Sequence, residues 1–93
     1  MTKASNATIS RHLNVDSNLI EAVRAKAAEL EQLVLTVESH IRDQHVHAEG
    51  TRDLTEQERL DTARPFRWLD DARHNLQAGV MFLERAIHQS TTF

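Results

Sequence analysis

A chain of 93 residues with 40% hydrophobic and 27% charged content, two glycines, one proline and no cysteine holds at most one small domain. That excludes a multidomain enzyme, disulfide frameworks, thiolate zinc sites and cysteine nucleophiles. The formal charge of −3 argues against a general polynucleotide binder, whose affinity rests on many cations meeting many phosphates. The cations concentrate at the amino end, where residues 1–15 hold Lys3 and Arg11 and no acid.

Residues 1–15 are expected to form a short arm or helix. They lack the apolar block of a signal peptide, and nothing further along approaches the length of a membrane span, so a cytoplasmic protein is expected. Within the arm, Ile9-Ser10-Arg11-His12-Leu13 places an imidazole and a cation together without an acidic neighbour. His12 could stack on a base there, a contact worth about 1–3 kcal/mol.

The first long helix is expected over 16–48, with Asp16 and Ser17 as side-chain caps. Ile20, Val23, Ala27, Leu30, Val34, Val37 and Ile41 alternate in steps of three and four, a heptad seam on a helix of about 40 Å. Arg24 and Lys26 lie near its start, where a helix favours anions, although that effect fades within a turn. The competing reading pairs them with Glu21, Glu29 or Glu31 on the surface, and spacing favours that pairing.

A polar turn is expected over 49–54, with Gly50 stopping the helix. Thr55 and Glu58 read as a capping box opening the second helix, 55–90, broken near 64–65 because Pro65 lacks a backbone donor. Phe66, Leu69, Arg73, Leu76, Val80, Leu83 and Ile87 repeat the seam. The expected fold is therefore all-α, an antiparallel hairpin of two long helices.

Two facing seams leave apolar flanks uncovered: Leu19, Leu33 and Leu35 on the first helix, and Trp68, Met81 and Phe82 on the second. Ala72, Gly79 and Ala86, spaced by sevens, suggest a close helix contact, since glycine within a helix costs about 1 kcal/mol relative to alanine. A chain this short buries little surface alone, and these flanks predict a homo-oligomer. Arg67, between Phe66 and Trp68, is either a helix-start cation without a role or a phosphate clamp. Tryptophan beside arginine also suits a protein contact.

Six histidines invite a metal hypothesis. His40, His45 and His47 are spaced by five and two and share no helical face, and His74 and His88 lie too far apart. They read as surface side chains. Asp70–Asp71 and Glu29–Glu31 diverge around a helix and cannot cooperate as acid and base. With no glycine-rich loop, nucleophile elbow or triad, no catalytic residue, metal or cofactor is expected.

The stretches Glu29-Leu30-Glu31-Gln32-Leu33-Val34, Pro65-Phe66-Arg67-Trp68-Leu69 and Leu76-Gln77-Ala78-Gly79-Val80-Met81-Phe82-Leu83-Glu84-Arg85-Ala86 resemble phage-encoded cyclic-nucleotide sponges. These are the anti-CBASS proteins and the related anti-Thoeris proteins. The likeness to the anti-CBASS branch runs from Ile9 to Phe93 and is most specific in the last helix. It implies a helical hexamer that sequesters cyclic dinucleotides such as cyclic GMP–AMP between subunits, and cyclic trinucleotides in a second pocket, without cleaving them. Its setting would be the cytoplasm of an infected bacterial host. The resemblance places His12 where the family often has a base-stacking tyrosine and Arg24 where a lysine meets phosphate, and it points to Lys26 and Arg67 for the trinucleotide pocket. The runner-up expectation is a helical adaptor binding another protein through Trp68, Met81 and Phe82. A metal-binding bundle is a third.

Overall fold

The structure is a computed structural model describing the backbone of residues 2–89 and the side chains of residues 15–89. It is all-helical: α1 spans Thr2–Gly50, α2 Leu54–Ala63 and α3 Pro65–His88, with no strand among the described residues. The chain folds as an elongated hairpin measuring 76 × 22 × 13 Å, with α2 and α3 returning along α1.

Helix α1 begins at Thr2, so the expected arm over 1–15 is continuous with the helix, and Asp16 and Ser17 lie inside it rather than capping it. No glycine or proline occurs between Thr2 and Glu49. Extending a helix that already exists avoids the unfavourable nucleation step, so mediocre helix formers such as Asn14 and Ser17 are carried along.

At the other end Gly50 is the last helical residue, but the left-handed position belongs to Arg52, at φ 53°. The Asp53 amide donates to the Ala48 carbonyl at 2.9 Å and the Arg52 amide to Glu49 at 3.2 Å. This six-to-one and five-to-two pair is the Schellman closure, which ties off carbonyls that α1 leaves unsatisfied. The Ala48 carbonyl also accepts from the Gln57 side chain at 3.0 Å, fastening α2 to the end of α1.

Asp53, not Thr55, caps the second helical stretch: its carboxylate accepts from the Glu56 amide at 3.1 Å, and α2 starts at Leu54. Both Asp53–Glu56 and Thr55–Glu58 fit the capping pattern. The tight closure on Ala48 brings the chain into the helix two residues early. The break near Pro65 is as expected. Arg64 adopts φ 49° and ψ 56°, ends α2 by donating its amide to the Leu60 carbonyl, and precedes Pro65 at the first position of α3. Proline disfavours a right-handed helical conformation in the residue before it, which accounts for the break.

The seams meet as expected at their centre. Ile20, Val34, Ile41, Ala48, Leu60 and Leu69 are buried, and Leu76 packs against Val34, Ile41 and Leu69. Three seam positions turn outward: Val37, Phe66 and Leu83 are exposed. Beside two of them a carboxylate takes the inner place. Glu38 reaches Arg73, since a cation at the seam position 73 requires an anion opposite it, and Glu84 reaches Arg24. Phe66 instead stacks on the His45 ring, with centroids 5.3 Å apart.

Candidate functional site

The four residues singled out in the sequence do not converge within one chain. Arg24 and Lys26, two residues apart, are separated by about 200° around α1. Arg24 Nε donates to Glu84 Oε1 of α3 at 3.1 Å, and Lys26 Nζ to Glu29 Oε2 at 3.3 Å. The surface pairing considered for Lys26 is thus what the chain adopts, while Arg24 finds a partner 60 residues away. The side chain of His12 lies outside the described residues.

Arg67 stands apart from these. It lies at the α2–α3 junction in a shallow pocket of about 520 Å³, lined also by Asp61, Thr62, Ala63, Arg64 and Trp68. Among the described residues neither Arg64 nor Arg67 forms an ion pair. Trp68 is 66% exposed beside them. The first turn of α3 contains no acid, and no side chain caps it. Two guanidinium groups, an accessible indole face and a positive helix end make a setting for a phosphate with an attached ring. Arg64 was not anticipated. Its proximity to Arg67 follows from the break, since Arg64 takes a left-handed conformation that no spacing rule announces.

A second concavity runs between α1 and α3, a groove of about 920 Å³. Ala27, Leu30, Val34, Leu76 and Val80 form its floor, with Leu35 and Met81 on its rims. Its cations are neutralised in place. Arg73 donates to Glu38 at 2.7 Å, and Arg42 donates to the other oxygen of the same carboxylate at 2.8 Å. The Arg73 hydrogen bond, against a smaller opposing effect of partial burial and with help from Arg42, holds the Glu38 carboxyl below the ordinary glutamate value of 4.5. Such a groove has no spare positive charge to offer an anion.

Met81 lines this groove, whereas Trp68 and Phe82, fourteen residues apart, share a different flank of α3. The three residues expected to form one contact surface therefore belong to two. An added Cβ at Gly79 would meet nothing within 4 Å, so the close approach suggested by the Ala72–Gly79–Ala86 stripe does not occur within the chain.

His40, His45 and His47 lie on the last turns of α1, not in the turn itself. His45 is half-buried against Phe66, with Nδ1 2.9 Å from the Ile41 carbonyl. Among the described residues no group of three histidine or acidic side chains is arranged to hold a metal. No described helix is long and apolar enough to cross a membrane. No family model matches the chain, and no curated protein matches it in sequence.

Proposed function

We propose that this protein is a non-catalytic, self-assembling binder of cyclic oligonucleotides, acting as a sponge for the second messengers of bacterial anti-phage defence in the cytoplasm of an infected host. The observation that carries the reading is the pair Arg64 and Arg67 beside Trp68, guanidinium groups without ion-pair partners among the described residues, next to an exposed ring at the start of a helix. A few cations per chain suffice if symmetry brings two or three copies around one ligand. The resemblance in the three stretches quoted above supplies the ligand class and a hexamer as the working assembly.

Self-association has separate support. Leu33, Trp68, Met81, Phe82 and Leu83 are each more than half exposed, and so many large apolar side chains left in water on a chain this short favour burial between copies. In the dinucleotide pocket, Arg24 would exchange Glu84 for phosphate. That exchange costs little, since exposed ion pairs contribute only about 0–1 kcal/mol.

Isothermal titration against cyclic dinucleotides and trinucleotides tests the reading, with bound ligand released by heat and analysed. Intact ligand is expected. Arg67→Ala is expected to weaken trinucleotide binding at least tenfold, in line with loss of a charge-assisted contact of about 1.5–3 kcal/mol. Recovery of linear product would make the protein an enzyme, and absence of binding across the panel would refute the nucleotide reading.

The Trp68 and Phe82 flank favours one other reading, a helical adaptor for a second protein. It predicts that no nucleotide raises the melting temperature and that purified chain stays monomeric until a stoichiometric protein partner is added.

A further inference from the structure

Helix α1 is longer than the hairpin that covers it. Arg24 pairs with Glu84, and α3 continues only to His88, so the antiparallel return reaches about the level of Ile20. Residues 2–19, about 27 Å of helix at 1.5 Å per residue, project beyond it with no segment of the described chain alongside. The groove between α1 and α3 meanwhile runs from Arg24 to Glu38, about 21 Å, with an apolar floor open to water. An uncovered helix and an uncovered groove of matching length occur on the same chain.

Their sequence registers also match, while the charges around the groove balance, Glu31, Glu38 and Glu84 against Arg24, Arg42 and Arg73. Leu13 lies seven residues before Ile20 and Ile9 four before Leu13, which continues the heptad register past the point where the chain's own α3 stops.

We infer that the groove seats the amino-terminal stretch of α1 from a second copy, the two α1 helices running antiparallel about a twofold axis near Ile20. Residue i of one copy then lies opposite residue 40 − i of the other, so residues 2–16 span the partner's 24–38. Each copy gives one arm and receives one, which closes the contact without leaving a free end. The groove holds a third helix, and its floor leaves water. This inference deepens the self-assembly part of the proposed function and is independent of the pocket at Arg64 and Arg67.

The absence of cysteine makes the register directly testable. A mixture of Ser10→Cys and Leu30→Cys chains, whose positions lie opposite each other in this register, is expected to oxidise mainly to the mixed disulfide dimer. Neither variant alone should crosslink within the assembly, because like positions lie about 30 Å apart. Mixed crosslinking no greater than that of the separate variants would overturn the register. Leu13→Glu, at a position N-terminal to the stretch of α1 that α3 returns along, is expected to halve the solution mass while helical content per residue is kept. An unchanged mass would overturn the arm's role. Nucleotide titration of wild-type chain reads the other half of the functional proposal separately.

Discussion

Glu38 is the residue on which the middle of the hairpin turns. It accepts from Arg42 on its own helix and from Arg73 across the groove, and its carboxyl is held below 4.5 mainly by the Arg73 bond. A carboxylate with a depressed folded-state pKa gives stability that is fully present above its unfolded value and lost as pH falls through its folded value. The acid limb of the stability profile, below about pH 4.5, is therefore expected to be steeper in the wild type than in Glu38→Gln, as read from urea midpoints between pH 3 and 6. Equal slopes would show that the three-membered cluster does not couple to folding. Arg52 offers a test with the opposite sign. Its left-handed conformation is strained for an arginine and natural for glycine, so Arg52→Gly is expected to raise stability by about 1 kcal/mol. A lower urea midpoint in that variant would contradict the closure described for Ala48–Asp53.

At the scale of elements, the two heptad seams, the hairpin and the break at Pro65 were legible in the sequence because apolar spacing and proline chemistry act locally. The start of α1 was not, because Asp16 and Ser17 cap a helix only when one begins there, and the absence of breakers back to Thr2 let the helix continue. The site was legible in part. Spacing already favoured a surface pairing of Arg24 and Lys26 with nearby glutamates, which Lys26 adopts, but Glu84 is 60 residues from Arg24 and only the fold brings it near. Arg64 was invisible for the same reason, its place being set by a backbone reversal. Gly79 is where element and assembly separate. Nothing among the described residues crowds it, so Gly79→Ala is expected to stabilise the isolated hairpin by about 1 kcal/mol, measured by denaturant unfolding at concentrations too low for assembly. Destabilisation under those conditions would mean that the glycine serves the chain's own packing.

For the whole molecule, the decisive quantity is how much apolar surface lies outside the hairpin. Among the described residues the core comprises six buried hydrophobic side chains, Ile20, Val34, Ile41, Ala48, Leu60 and Leu69, whereas Trp68, Phe82, Leu83, Met81 and Leu33 face outward. A core of this size rarely stabilises a small chain by more than about 3–5 kcal/mol, so burial between copies is the natural source of the remainder. The outward residues fall on two surfaces, the groove rim at Met81 and the flank carrying Trp68 and Phe82. Two distinct contact surfaces per chain are what a closed assembly larger than a dimer requires, whereas one isologous surface ends at two copies. Trp68 is the sole tryptophan and is 66% exposed in the single chain, so its fluorescence reports directly on the second surface. On dilution its emission is expected to move to the red as the flank returns to water, in step with a fall in solution mass. Phe82→Glu should fix the red position at every concentration without loss of helicity. Emission that stays red in the wild type, with a mass that never exceeds two chains, would confine assembly to the groove and leave the Trp68 flank for another partner.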